Sequence, residues 1–494
     1  MTNYRKSQRW FLGAIVGCYL VLGWLYARWT PNWQAPDEPA HYNYVTYLAE
    51  NHRLPVLQAG DYPHEYLEQL KSSRFAPSLS ISPLRYESHQ PPLYYVLAAV
   101  VYWAGGQQLL WLRLFSVALG AAYLVVLFQV LRQVFPRSRS LPLISCGLVT
   151  VLPMRLAMTA AVNNDGLAEL LLLLVLWQAL QVVRSGPGRR SVLISGALLG
   201  LVLLTKTTVY LQAGLLTLAA PFLHGSSGRV QERFQNLLRF GVPAVLLALL
   251  IALPFFARNI AVYGWGDPLG WARHDSIVTG QLRTVDLLAQ IGPLAFLQRF
   301  VLTTFHSFWG QFGWMGVLID VRLYRALALF TALIVMGGVL AGARLWLQRR
   351  ALAWDRMGVL LLLLLLLGAS VATYLGYNLK FVQHQGRYLY PALPALAAVA
   401  AAGLAELSRR RVGTVVASLL MLAAGLVGVG SVVLGDPAEW TVATLGLASL
   451  LVLLWSRSRQ HWRWAAAGVV YLMFLVLDWL CLFEFIVPML RPTG

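Results

Sequence analysis

Charge is scarce in this sequence. Only 12% of its 494 residues are Asp, Glu, Lys or Arg, about half the usual share for a soluble domain. Cysteine is scarcer: Cys18, Cys146 and Cys481 lie singly within apolar runs, which excludes a disulfide framework and a thiolate zinc site. No Gly-rich phosphate loop, GxSxG elbow or HExxH pair occurs, so the usual soluble-enzyme signatures give no lead. What fills the chain is apolar: 58% of residues are hydrophobic and the mean hydropathy is +0.62. Many runs approach 20 residues, the length that crosses a bilayer as a helix. The composition predicts an all-α polytopic membrane protein.

Apolar runs lie near 10–27, 111–131, 141–161, 166–183, 191–206, 208–223, 239–257, 326–343, 357–377, 389–407, 412–434, 440–455 and 464–487, about thirteen spans. The first has Arg5, Lys6 and Arg9 before it and no small-residue cleavage site after it, so it reads as an uncleaved anchor. A further run, 91–106, opens with Pro-Pro and closes with Gly-Gly. If it lies in the membrane plane, alternate loops collect the basic clusters, among them Arg132/Arg137/Arg139 and Arg409/Arg410/Arg411, accompanied only by Glu232, Asp355 and Glu406. If it crosses, those loops face outward against the positive-inside rule. We therefore expect the N-terminus inside and the C-terminus outside. The net charge of +19 is then a topology signal with some attraction to anionic lipids, not a nucleic-acid surface.

The outer side carries His41, His52, His64, His89, His274, His306, His384 and most carboxylates. Two long outer loops, 28–110 and 258–325, mix aromatics with charge, Pro and Gly, as in-plane helices joined by turns do. The organisation expected is an N-terminal membrane module over 1–257 that includes the loop 28–110, a second outer loop over 258–325, and C-terminal membrane helices over 326–494.

Six constellations fall on that side. Pro36-Asp37-Glu38-Pro39-Ala40-His41 sets two carboxylates on a constrained turn. It reads either as a base with a supporting acid or as the first turn of a helix. Glu87-Ser88-His89-Gln90-Pro91-Pro92 is a polar turn whose His89 either joins Glu38 and His41 on a divalent cation, binds substrate, or merely opens an amphipathic helix. Asn163-Asn164-Asp165 suits a helix cap as well as a binding site. Lys206, alone in apolar sequence, faces either a polar cavity or the surface. The stretch 305–314 around Trp309 fits sugar stacking or an interfacial belt. Gln385-Gly386-Arg387-Tyr388 at a helix start suits a phosphate. Acids, histidines and two cations gathered on one side suit an enzyme acting on an anionic lipid.

These patterns resemble the GT-C superfamily of integral membrane glycosyltransferases. The likeness extends to the protein-mannosyltransferase and aminoarabinose-transferase groups, and above all to bacterial membrane proteins bearing PDEPAH and QGRY. The resemblance covers about residues 10–400. It implies a GT-C fold and an inverting transfer of a monosaccharide from a polyprenyl-phosphate carrier to a glycan, lipid or protein at the outer face of a bacterial cytoplasmic membrane. Asp37 takes the base role and Glu38 supports it. Lys206, Arg387, Tyr388, Arg258 and Gln385 hold the donor. His41, His89, Asn164, Asp165 and Trp309 support the site or receive the acceptor. No cofactor is required, and a divalent cation at Glu38, His41 and His89 is left open. The chain shows no large C-terminal soluble segment of the kind some relatives use for acceptors. A polysaccharide polymerase or ligase, or a transporter of lipid-linked glycans, is the rival reading. A transporter would set polar groups near mid-bilayer, and a polymerase or ligase would place its working Arg and His in a late loop.

Overall fold

A computed structural model describes residues 2–225, 230–348, 354–434, 438–458 and 460–492. The chain enters as α1 (Thr2–Trp29). It then lays down the short helices α2 (Glu38–Asn51) and α3 (His64–Ser72), a 3-10 turn over Tyr86–His89, and α4 (Leu93–Ala104). The Pro pair before α4 and the Gly pair after it limit it to 12 residues, a rise of about 18 Å. That is well short of the ~30 Å hydrocarbon core, as expected of the run 91–106.

Long helices follow: α5 (Leu109–Val134), α6 (Leu141–Thr150), α7 (Pro153–Thr159), α8 (Asp165–Ser185), α9 (Arg189–Leu203), α10 (Tyr210–Leu223) and α11 (Val230–Tyr263). α6 and α7 form one broken span bent by 68°. Pro153 at the start of α7 cannot continue the ladder of the preceding turn. The chain continues through α12 (Trp271–Ile277), α13 (Thr284–Trp309) and a hairpin pairing β1 (Gln311–Phe312) with β2 (Val317–Leu318). It ends in α14 (Val321–Leu347), α15 (Trp354–Lys380), a 3-10 segment over Gly386–Ala392, α16 (Leu393–Leu407), α17 (Arg410–Leu434), α18 (Glu439–Arg457), α19 (Gln460–Leu480), a π-helical turn over Cys481–Ile486 and α20 (Val487–Leu490).

The protein is a multi-pass membrane protein. Among the described residues, 11 helices are long and apolar enough to cross a bilayer, or 12 with the bent pair counted. The sequence expectation of thirteen differs at two neighbouring runs. The runs 191–206 and 208–223 fold as α9 and α10, of 15 and 14 residues, about 22 Å each and too short to span unaided. The segment 284–309, expected within an outer loop, is an apolar helix of crossing length by composition alone, broken in the middle at Gly292 (φ 78°) and Pro293. Its two ends are both tied to the connection between α15 and α16, through Thr284 to Asn378 O and Ser307 to Gly386 N, the connection that carries Arg387 to Asp37.

Two packed regions position the site. The main core runs along α1, α5, α7 and α8 and buries Tyr19, Tyr26, Tyr94, Tyr95, Tyr123 and Tyr390. A smaller cluster of Ala40, Leu67, Leu70, Phe75, Leu84 and Tyr86 closes the first loop, and Val278 just after α12 packs into it. The first loop is thus a folded cap with its own core.

Candidate active site

Asp37 and Glu38, adjacent in sequence, face different environments. Asp37 adopts a left-handed conformation (φ 66°), and Glu38 opens α2 directly after it with Pro39 in the first turn. That backbone state costs a non-glycine residue about 1 kcal/mol or more. It turns the two carboxylates apart. Glu38 is fully buried and points into the core. Arg113 of α5 grips it through Nε to Oε1 at 2.8 Å and Nη2 to Oε2 at 2.7 Å. The backbone N–H groups of Trp33 and Val162 add two donors at 3.2 Å. Arg113 also donates to the carbonyls of Ala27, Thr30 and Pro31. Glu38 therefore clamps the end of α1, the first loop and the α7–α8 connection together, with both oxygens engaged.

Asp37 does sit at the start of a helix, yet its side chain makes no capping bond. Oδ1 accepts from the Tyr86 hydroxyl at 3.0 Å and Oδ2 from Arg387 Nη2 at 3.1 Å. The carboxylate is 31% exposed, against 6% for the Arg387 side chain. Arg387 also reaches Met158 Sδ at 3.5 Å and lies 5.3 Å from the Tyr388 ring. Its Nε is buried without a hydrogen-bond partner.

The second cation faces the same region. Lys206 Nζ pairs with Asp165 Oδ1 at 2.7 Å and donates to Asn164 Oδ1 at 2.8 Å. Asn164, fully buried, donates onward to Thr205 O at 3.3 Å and to Gln90 Oε1 at 3.4 Å. The Asn-Asn-Asp stretch thus both starts α8 and ties it to the first loop. Asp165, Arg387 and Tyr388 line one cavity of about 40 Å³, together with Glu169, Tyr374 and Tyr377. That is room for a few waters.

His41 is buried beside this cluster. Its Nδ1 lies 2.8 Å from the Tyr95 hydroxyl, and Tyr95 stacks on Tyr44 at 3.6 Å between ring centroids. Burial lowers the His41 pKa despite the charges of Glu87 and Asp37. Burial raises that of Glu87, which His41 partly offsets. His89 lies one layer away. Its Nδ1 contacts Tyr86 O at 3.1 Å and its ring is 4.6 Å from that of His274 on α12. Burial pushes His89 down to about 4 and His274 down to about 3.

Several sequence candidates lie elsewhere. Glu38, His41 and His89 do not converge: their polar atoms face Arg113, Tyr95 and Tyr86 respectively. Among the described residues no group of three metal-ligating side chains is placed to hold an ion. Arg258 fastens the first loop, donating to Pro55 O at 2.5 Å and Leu54 O at 3.4 Å. Trp309 is buried against Phe474 and Phe330, at 5.8 and 6.1 Å between ring centroids. Its face is taken by the core, as part of neither a sugar platform nor a surface belt. Gln385 donates to Gln383 Oε1 at 2.8 Å beside the Arg387 segment and keeps a buried, unpartnered Oε1. Two central residues escaped the sequence reading. Arg113 is a lone cation in an apolar run, the same signal that singled out Lys206. Tyr86 carried no signal, because its role depends on the fold of the first loop.

The comparisons with known proteins agree with this architecture. Residues 89–257 match the family model described as dolichyl-phosphate-mannose-protein mannosyltransferase. No curated protein sequence matches the chain. The apo structure of ArnT from Cupriavidus metallidurans aligns with a TM-score of 0.53 at 15% identity, covering 97% of this chain and 77% of that one. The same protein bound to undecaprenyl phosphate gives 0.49 at 15%, covering 95% and 76%. The apo oligosaccharyltransferase of Archaeoglobus fulgidus gives 0.47 at 13%, covering 93% and 56%. The chain has the GT-C fold of membrane glycosyltransferases, as its motifs implied, and over residues 89–257 it is similar in sequence to the mannosyltransferase family.

Proposed function

We propose that the protein is an inverting glycosyltransferase that moves a monosaccharide from a polyprenyl-phosphate carrier to an acceptor glycan, lipid or protein. The site faces outward from a bacterial cytoplasmic membrane. One observation carries the reading: a partly exposed carboxylate, Asp37, meets Arg387 from a distant segment, and Arg387 shares a cavity with Asp165, the partner of the second cation, Lys206. Displacement at an anomeric carbon needs a base for the acceptor hydroxyl and positive charge for the departing phosphate. In this reading Arg387 and Lys206 hold the phosphate. A phosphate that draws Arg387 toward itself loosens the grip on Asp37 Oδ2 and frees that oxygen for the acceptor proton. Tyr86 keeps Oδ1 in place.

The division of labour follows. Residues 1–257 supply the base, Lys206 and the first-loop cap, 258–325 cover that cap through α12, and 326–494 bring Arg387 and Tyr388. Glu38, His41 and Asn164 position the site. Arg258 and His89 act by holding the loop. A metal is left as an open addition.

The test is transfer or hydrolysis of a short-chain synthetic polyprenyl-phosphate monosaccharide by the purified protein in nanodiscs, across hexose, hexosamine and pentose donors. The expected outcome is sugar release that disappears in Asp37→Asn. No release from any donor by the wild-type protein would overturn the reading.

A further inference from the structure

The broken span leaves a polar group at membrane depth that the proposed chemistry does not use. Bending at Pro153 brings α7 against α8, and Arg155 of α7, 2% exposed, faces Glu169 of α8, 8% exposed. They are 3.6 Å apart, an ion-pair distance too long for a hydrogen bond. Among the described residues Glu169 Oε2, although ion-paired to Arg155, is buried with no hydrogen-bond partner, as are Nε and Nη1 of Arg155. The Arg155 guanidinium rests 4.5 Å from the Tyr123 ring. Unsatisfied charged atoms in a membrane interior are expensive and mark functional sites. Irregular backbone at this depth persists where it lines a cavity.

Glu169 lines that cavity, one helical turn below Asp165, so both carboxylates share a face of α8. Tyr374, Tyr377 and Tyr388 form other walls, and Arg387 completes it. Two carboxylates repel a phosphate, so the cavity floor is not the anion site. Ring faces and an unpartnered acceptor suit the opposite chemistry, a ring with C–H faces and hydrogen-bond donors on its edge. At about 40 Å³ the cavity takes only the polar edge of such a ring and not the ring itself, and Tyr377, 39% exposed, is its exposed wall.

We propose that Glu169, braced by Arg155, is a specificity-determining residue that accepts a hydrogen bond from a hydroxyl or amino group of the transferred sugar. The assignment rests on the glycosyltransferase reading and adds to it the floor of the sugar subsite. A site built to bond a hydroxyl discriminates strongly against an analogue lacking it, because its own polar group is left unpaired.

The test compares the binding of a short-chain polyprenyl phosphate with that of the same lipid carrying a monosaccharide from the donor panel. Wild type, Glu169→Gln and the double variant Glu169→Leu/Arg155→Met are measured by ligand-dependent thermal shift and titration. The double variant removes both partners, so no uncompensated charge remains to unfold the protein. The expected result is that all three bind the sugar-free lipid alike. The extra affinity given by the sugar falls about tenfold or more in both variants, and discrimination against the matching deoxy donor collapses. Equal loss of sugar-free binding, or an unchanged sugar increment in the double variant, would overturn the assignment. So would the absence of any sugar increment in wild type. Failure of wild type to bind either lipid would instead sink the parent glycosyltransferase reading.

Discussion

Asp37 and Arg387 are 350 positions apart in sequence, yet Nη2 of one lies 3.1 Å from Oδ2 of the other. One comes from the turn after the first helix, the other from the segment before α16. The pair forms because Gly386 lets the chain press against α13. A Cβ there would sit 2.3 Å from Thr304 O and 2.5 Å from Phe308 N, both backbone atoms. Ser307 Oγ accepts the Gly386 N–H at 2.7 Å and fixes the approach.

Arg387→Ala and Lys206→Ala are each expected to weaken binding of a synthetic polyprenyl phosphate by about tenfold to a hundredfold. That is the effect of losing one charge-assisted bond, roughly 1.5–3 kcal/mol. Arg387→Lys restores only part, since a point charge replaces a planar fork. Gly386→Ala reproduces the Arg387→Ala loss by displacing the segment. Gly376→Ala, with nothing within 4 Å of its added Cβ, leaves binding unchanged. Titration of the five proteins in nanodiscs checks this, and unaltered affinity in Arg387→Ala would refute the phosphate role.

Glu38 and Asp37 separate on stability. Arg113→Ala strands a fully buried carboxylate, which costs about 3–5 kcal/mol, and Glu38→Gln strands the guanidinium. Both are expected to lower the melting temperature in detergent well below wild type, whereas Asp37→Asn leaves it nearly unchanged. If Glu38→Gln melts like wild type, the clamp is not what holds the first loop to the bundle.

Much of this site was legible beforehand. Asp37 stood out as half of a carboxylate pair between prolines, Asn164 and Asp165 as a polar helix start, Lys206 as a lone cation in apolar sequence and Arg387 as a cation at a helix start beside Gly386, and the fold brings them to one place. Polarity in a lipid-facing sequence is costly, so its survival marks function or a clamp. Which of the two it marks was not legible. Glu38 and Asp37 look equivalent in sequence, and only the left-handed turn at Asp37 sends one to Arg113 and the other to Tyr86 and Arg387. Trp309 failed for the converse reason: an aromatic reads the same whether its face is free or packed on Phe474. The helix over 284–309 was missed because Gly292 and Pro293 divide its hydropathy into two short pieces.

The orientation rests on the distribution of basic residues and is open to labelling. In a background lacking Cys18, Cys146 and Cys481, a cysteine at exposed Ser82 should react with an impermeant thiol reagent applied from outside. One at exposed Ser185 should react only after permeabilisation. The reverse pattern would place the Asp37 site in the cytoplasm.

Acidification should loosen the contact between the first loop and α12. His89 faces Asp267 and Lys206, and His274 faces Asp275, Lys380 and Asp37, but burial dominates and lowers both. A histidine whose folded pKa is lowered contributes stability that is complete above its unfolded value near 6.5 and drains as pH falls through its folded one. For His89, at about 4, the window is pH 6.5 to 4 and the loss about 3 kcal/mol. Melting temperature should therefore fall across that window in wild type and fall less in His89→Gln. Parallel curves for the two proteins would show that His89 does not report the contact.

The base assignment turns on what Asp37→Asn removes. Asparagine keeps the size of the side chain and an oxygen for the Tyr86 hydroxyl, so the turn and the first-loop cap survive. It removes the charge that pairs with Arg387 and the capacity to take a proton. Because the carboxylate is 31% exposed, the pair itself contributes little to stability, and the loss falls on chemistry. Transfer from a defined polyprenyl-phosphate sugar to a defined acceptor should drop by about 10²–10⁴, the usual contribution of a general base, while donor affinity stays within a few-fold. Tyr86→Phe should cost less, since it frees Oδ1 without removing the base. Donor affinity and turnover measured together separate the roles: a fall in both would make Asp37 a donor ligand. Near-normal turnover in Asp37→Asn would pass the base role to Glu87, the neighbouring carboxyl that burial makes more basic than usual.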